Sequence, residues 1–201
     1  MFADRVVLHL AAHRRNTELV TFTAGPRLDL HLLTPAELFA LDDADDSLFE
    51  RRDLRNPYGI LTSENLPREN RVADVQQNPG NMRWYYRLIV ARETRTIVRS
   101  ISFHSAPDVD GMVEIGLGIA PEQQGRGYAT EALIGLWDWA ASQPDVSVLR
   151  YTVSPDNVAS QKIIAKFPAQ HMGVQIDDED GPEDIYEIPI DAYRAWRASA
   201  N

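Results

Sequence analysis

The 201-residue chain sets 30 acidic against 20 basic side chains, a formal net charge of −10, in a composition 44% hydrophobic and 25% charged. Such a chain can bury one substantial core, and its field repels nucleic acid and anionic lipid while attracting a cationic, amine-bearing molecule. It has no cysteine, which excludes disulfides and thiolate catalysis and makes a reducing cytoplasm the expected setting. No apolar run approaches the ~20 residues of a membrane span, and no signal-peptide pattern opens the chain.

In chain order, residues 1–26 read as an extension, with Val6–Leu10 as an added strand or docked arm. Arg27–Leu33 alternates as a first core strand. Thr34 then caps a helix that has Pro35 in its first position. The acidic run Asp42, Asp43, Asp45 and Asp46 reads as a solvated face, because no histidine or glycine accompanies it as a metal loop would require. Residues 64–78 are expected to be helical, up to a break at Asn78-Pro79-Gly80-Asn81. Two strands follow. Arg83–Arg92 carries Trp84, Tyr85 and Tyr86, read as core more than as pocket lining. Ile97–His104 is expected to put Ile97, Ile101 and Phe103 on one face, with Val98, Ser100, Ser102 and His104 opposite.

Residues 112–131 are the most informative stretch. Val113, Ile115, Leu117 and Ile119 alternate with Glu114, Gly116 and Gly118, so one strand face is aliphatic and the other bears one carboxylate and uncovered backbone. From Tyr128 the period becomes helical, through Ala129, Leu133, Leu136, Trp137 and Ala140. The turn Gln124-Gly125-Arg126-Gly127 therefore sits at a helix N-terminus, a seat for phosphate to which Arg126 adds positive charge. Thr130 stands where a dinucleotide fingerprint needs glycine or alanine, and no Gly-Lys-Ser/Thr of a P-loop exists. Farther on, Val146–Val153 reads as a strand. A helix follows it, with Ser154 or Asp156 as N-cap and Ile163, Ile164 and Phe167 as apolar face, ended by Pro168. Val174–Ile176 and Asp184–Ile190 are expected to form a hairpin around an acidic loop.

The run Gln124-Gly125-Arg126-Gly127-Tyr128-Ala129 resembles the (Q/R)xxGx(G/A) acyl-CoA-binding motif of the GNAT family of N-acetyltransferases, in the same strand–turn–helix setting. Asn157 and Ser160 match the family's later N-x-x-S element, although Lys166-Phe167-Pro168-Ala169 departs from its usual tail. In pattern the chain is most similar to the branch of ribosomal-protein N-terminal acetyltransferases. The resemblance spans roughly residues 27–190 and implies one α/β (α+β) domain with a mixed, mostly antiparallel central sheet and flanking helices. Residues 191–201 are then a tail. It also implies that the turn amides hold the pyrophosphate, that Leu117–Ile119 bulges to offer an amide to the thioester carbonyl, and that Asn157 and Ser160 lie beside the thioester; Thr130 either supports the phosphate or only finishes the turn.

The chemistry so implied is direct acyl transfer, most simply of acetyl from acetyl-CoA to a primary amine on a protein N-terminus or a small molecule, with no metal. Glu114 is the leading base, or else a strand-end structural carboxylate. His104 is a second candidate, since histidine titrates in the useful range, and also reads as an incidental loop-edge residue. Ser160 either assists the departing thiolate or merely bonds in the helix's first turn. The expected partners are an acyl-CoA and an amine, with a homodimer compatible and neither nucleic acid nor membrane. Thr152 and Ile164 replace a glutamate and a tyrosine used by some relatives, which leaves a catalytically weak acyl-CoA-binding or regulatory module as the alternative.

Overall fold

The computed structural model describes residues 21–64, 71–177 and 181–200. Eight strands form one sheet in the order β1-β2-β3-β4-β5-β6-β8-β7. The strands are β1 Thr21–Thr23, β2 Leu28–Leu32, β3 Arg87–Ala91, β4 Thr96–Phe103, β5 Met112–Leu117, β6 Val148–Val153, β7 Gln170–Asp177 and β8 Gly181–Pro189. Among the described residues β5 and β6 run parallel and every other neighbouring pair is antiparallel. The helices are α1 Pro35–Asp42, α2 Leu48–Arg51, α3 Arg71–Gln77, α4 Tyr128–Ala141, α5 Val158–Ile164 and α6 Ile190–Ser199.

Helix α1 starts as expected. The Thr34 hydroxyl accepts from the Glu37 amide at 3.2 Å, while the Glu37 carboxylate accepts from the Thr34 amide at 2.8 Å. Glu37 also binds the buried Arg52, whose guanidinium donates to the Leu32 carbonyl. Asp45 and Asp46 of the acidic run accept the Ser47 and Ser63 amides, fixing that loop. The described part of the 64–78 segment holds α3, and Pro79–Trp84 continues as a 3₁₀ turn.

Strand β3 therefore begins at Arg87, four residues later than the aromatic alternation suggests. Trp84, Tyr85 and Tyr86 all enter the core regardless of parity. The Tyr85 hydroxyl donates to Asp74 at 2.7 Å and Trp84 lies edge-on to Trp139. A bulge at Val98 changes the face assignment on β4. Ile89 faces Arg99 and Val90 faces Ile97, so Ile97 leaves the Ile101–Phe103 face and joins the other. Both Ile97 and Val98 are buried.

The core is centred on α4 against the sheet. Trp137 meets Phe167, Tyr193 and Tyr151 edge-on, with ring centroids 4.9, 5.9 and 6.4 Å away. Contacts of this kind add about 0.5–1.5 kcal/mol each beyond area burial. Phe167 of the unusual Lys-Phe-Pro-Ala tail is thus a core residue. The segment after 190 forms α6, which buries Ile190 and Tyr193 and sets Trp196 against Phe167 with the rings tilted by 46°. Thr21–Thr23, ahead of the first expected strand, pairs with β2. The expected Val6–Leu10 strand lies outside the described residues.

Candidate active site at the split between β5 and β6

Backbone direction creates the site. The His104 amide donates to the Glu114 carbonyl at 2.8 Å. The Gly118 and Ala120 amides donate to Ser100 and Val98 at 3.3 and 2.8 Å. Even-numbered residues of β5 thus turn their backbone groups to β4, and odd-numbered Leu117 and Ile119 turn theirs toward β6. Pairing with β6 stops at Ile115–Tyr151 although β6 continues to Val153. Leu117 and Ile119 consequently offer peptide groups to an opening between parallel strands. The expected bulge at Leu117–Ile119 is not a shift in the β4–β5 register. The strand opens by parting from β6, and the register shift lies on the β3–β4 pairing instead.

Beyond the opening the chain turns into α4. Gly125 and Gly127 take φ of +72° and +79°, left-handed values that side-chain-bearing residues adopt at a cost. A Cβ on Gly125 would meet nothing within 4 Å, so the outer surface of this turn is open. Gly127 is the N-cap of α4 and caps with no side chain, leaving first-turn amides directed outward beside Tyr128, Ala129 and Thr130. Gln124 folds back to donate to the Ile119 carbonyl at 3.0 Å, joining turn to split.

Three residues that sequence patterning does not single out hold this turn. Glu131 Oε1 accepts the Arg27 and Leu28 amides at 2.8 and 3.1 Å, and Oε2 takes the Arg27 guanidinium. Arg27 Nη1 in turn donates to the Arg126 carbonyl at 2.8 Å, and its guanidinium lies over the Tyr128 ring at 4.9 Å. Lys166 Nζ reaches the Thr130 hydroxyl at 3.1 Å, bringing a cation to the first turn of α4. Arg27 and Glu131 lie 104 residues apart, and only the apposition of β2 with α4 reveals the pair.

A cavity of about 900 Å³ opens beside the turn, lined by Arg27, Arg55, Tyr58, Arg92, Arg126 and Tyr128 among others. Four guanidinium groups and one carboxylate, Glu93, line it, and Arg27 and Arg92 are ion-paired with Glu131 and Asp29, so it is a mildly basic patch on an acidic chain. Neither Glu114, His104 nor Thr152 lines it.

The catalytic candidates separate by face. Glu114 stands opposite Arg150 in register and shares its face with Gly116 and His104. The Thr152 hydroxyl donates to Glu114 Oε1 at 2.8 Å, and His104 Nδ1 lies 3.6 Å from the same oxygen. Gly116 makes room for the imidazole, since a Cβ there would come 2.9 Å from His104 Nε2. Ser160 lies elsewhere. It hydrogen-bonds the Tyr151 phenol, on the opposite face of β6 from Thr152. Burial raises the Tyr151 pKa, and the Ser160 hydrogen bond partly offsets this. The N-cap of α5 is Asn157, whose side-chain Oδ1 accepts the Ser160 amide at 3.1 Å, rather than Ser154 or Asp156. Ile164 is core, 1% exposed. Among the described residues no group of three or more His, Asp or Glu could hold a metal ion, and no helix is long and apolar enough to cross a membrane.

A sequence model described as the acetyltransferase (GNAT) domain matches residues 33–169. The chain is 35% identical over 80 residues to the uncharacterized N-acetyltransferase YjdG of Bacillus subtilis, covering 40% of this chain and 48% of YjdG. It is 34% identical over 82 residues to the L-2,4-diaminobutyric acid acetyltransferase of Streptomyces coelicolor, covering 34% of this chain and 48% of that one. The chain thus spans about half the length of each of these relatives. Among solved structures, the ribosomal-protein-S5-alanine acetyltransferase of Vibrio fischeri superposes with a TM-score of 0.61 at 14% identity, covering 87% of this chain and 98% of that one. RimL, a ribosomal L7/L12 α-N-protein acetyltransferase solved in complex with coenzyme A, gives 0.58 at 17%, covering 86% and 99%. At such identities the structures speak to the fold alone.

Proposed function

Because the chain belongs to the GNAT acetyltransferase family, we propose that it transfers an acetyl group from acetyl-CoA to a primary amine by direct attack. The observation that carries this reading is the split at Leu117–Ile119, with a glycine turn at one end and a carboxylate on the adjoining face. The turn amides from Gly125 to Thr130, with Arg126 and Lys166, suit a pyrophosphate. The open surface at Gly125 leaves space for it. Leu117 and Ile119 would pair with the pantetheine arm and polarise the thioester carbonyl. Glu114 takes the amine proton, directly or through water, and the nitrogen attacks as the carbon–sulfur bond breaks. Ser160, on the other side of β6 with Tyr151 and Asn157, is the candidate to donate toward the departing thiolate. A cytoplasmic setting belongs to the same proposal, on the cysteine-free composition.

The acceptor is an amine of either of two kinds. A protein α-amine is favoured by fold similarity to the ribosomal-protein acetyltransferases, and a small diamine by the partial match to the diaminobutyric acid enzyme. The test is release of CoA thiol from acetyl-CoA across a panel of a peptide with a free N-terminal alanine, L-2,4-diaminobutyrate and spermidine. Wild type should turn over at least one acceptor. Glu114→Gln should lower kcat by about 10²–10⁴-fold with CoA affinity nearly unchanged. The absence of a tyrosine at the buried Ile164 favours the module reading. Tight acetyl-CoA binding with no thiol release on any acceptor would establish the module in place of the enzyme.

A further inference from the structure

We infer that Thr152 is a positioning residue that holds the Glu114 carboxylate as the working base, so that one strand supplies the carboxylate and its neighbour the hydroxyl that orients it. The inference rests on the reading of Glu114 as base.

Glu114 is mostly enclosed, its side chain 17% exposed, and a glutamate there has three torsions to fix. Two groups converge on one of its oxygens. Thr152 Oγ1 donates to Oε1 at 2.8 Å, and His104 Nδ1 stands 3.6 Å from that same atom. Among the described residues Oε2 takes no hydrogen bond. One oxygen is therefore held and the other is left for the proton of an amine or of a bridging water.

The register explains why Thr152 can do this. Glu114 faces Arg150 across the parallel pair, and Thr152 is the next residue of β6 on that face. Arg150 is the strongest competitor for the carboxylate, but its Nε and Nη2 both donate to Glu187 Oε1, at 2.9 and 2.6 Å. Its charge is thus engaged on β8. Beside Glu114 stand His104 from β4 and, opposite in register, Arg150 of β6, paired with Glu187; farther along the same face Arg99 of β4 covers Gly118. Thr152 is the neutral donor among them. A threonine suits the place because its branched Cβ restricts χ1 on a strand, which directs the hydroxyl.

Removing the hydroxyl frees the carboxylate without touching the acetyl-CoA seat, so it should split kcat from KM and be rescued by serine, which mere loosening of the core would not do. The experiment measures kcat and KM over pH 5–9 with acetyl-CoA and whichever panel acceptor turns over, for Thr152→Val, Thr152→Ser and Glu114→Gln. CoA affinity and circular dichroism are measured on each variant. Thr152→Val should lower kcat by about tenfold to 100-fold through a misplaced base and leave the KM for acetyl-CoA unchanged. Thr152→Ser should restore kcat. Should Val not fold, Thr152→Ala carries the same comparison.

Unchanged kcat in Thr152→Val, with Glu114→Gln inactive, would overturn the inference and leave Glu114 as base. A silent Glu114→Gln would instead remove the base reading itself, and with it this inference. Thr152→Val added to Glu114→Gln should cost nothing further in kcat. An additional loss there would mean that Thr152 acts on its own.

Discussion

Replacing Glu131 tests whether the bracket between β2 and α4 holds the glycine turn. One carboxylate oxygen accepts the amides of Arg27 and Leu28, at 2.8 and 3.1 Å, and the other holds the Arg27 guanidinium. Gly25 clears the space, since a Cβ there would fall 2.6 Å from Glu131 Cγ. In Glu131→Ala the Leu28 amide, on a residue with no solvent exposure, is left unsatisfied at about 1–3 kcal/mol. The Arg27 side chain is 48% exposed and rehydrates, so the lost ion pair adds about 1 kcal/mol or less. The expected destabilisation is about 1–4 kcal/mol. In Glu131→Gln the amide oxygen still accepts both backbone N–H groups, and only the ionic part, about 1 kcal/mol or less, is lost. Urea midpoints at constant m give the two values, and the Gln effect should shrink at 1 M salt. CoA affinity on the same proteins should fall severalfold for Gln, because Arg27 also holds the Arg126 carbonyl. Equal losses for Ala and Gln would refute the reasoning, since the buried amides would then not be what Glu131 satisfies.

Gly127→Asp and Gly127→Asn separate charge from backbone strain: both residues tolerate the left-handed φ of +79° better than others, so thermal shifts should match while only Asp abolishes stabilisation by CoA. CoA binding by the Asp variant at wild-type affinity would remove the turn as the pyrophosphate seat. His31 tests acid stability. Burial first, and then Arg52, lower its pKa to about 4. The unfolded state therefore binds more protons between pH 6.5 and 4, and stability falls as pH drops through that window, by about 3 kcal/mol in all. His31→Leu should flatten this slope in urea midpoints measured from pH 7 to 4, and an unchanged slope would assign the acid sensitivity to other groups.

What was legible in the sequence was local. Gly125 and Gly127 announce a positive-φ turn because few other residues occupy it cheaply, and the change from period 2 to period 3.6 at Tyr128 marks where α4 begins. Thr34, Pro35 and Glu37 spell out a helix start within four residues. What could not be read was whatever depends on one extra residue or on distant apposition. The bulge at Val98 inverts the face of Ile97 without disturbing the apolar pattern, because both residues are buried. Trp84, Tyr85 and Tyr86 alternate like a strand, yet Trp84 ends a 3₁₀ turn, Tyr85 caps it and Tyr86 links it to β3, all three inside the core. Thr152 stands where some relatives carry a glutamate, and only the register of β6 against β5 shows what its hydroxyl meets.

The same geometry bears on how a chain of net charge −10 suits an anionic donor. Net charge governs approach from afar, but at ~0.15 M ionic strength the field of any side chain fades over about 8 Å. Within that distance of the turn stand Arg126 itself and Arg27, whose guanidinium reaches the Arg126 carbonyl, and Lys166 meets the first turn of α4. Arg55 and Arg92 line the adjoining cavity. Glu131 offsets part of the Arg27 charge through Oε2, while its Oε1 is turned to the Arg27 and Leu28 amides. The carboxylate that would handle the amine proton lies on a separate stretch of β5, outside the basic cavity, with a neutral hydroxyl rather than a guanidinium as its nearest partner. The split strand thus keeps the cations that suit phosphate apart from the anion that suits the amine. Had Arg150 turned to Glu114 instead of Glu187, that division would be lost, because a paired carboxylate is a weaker base.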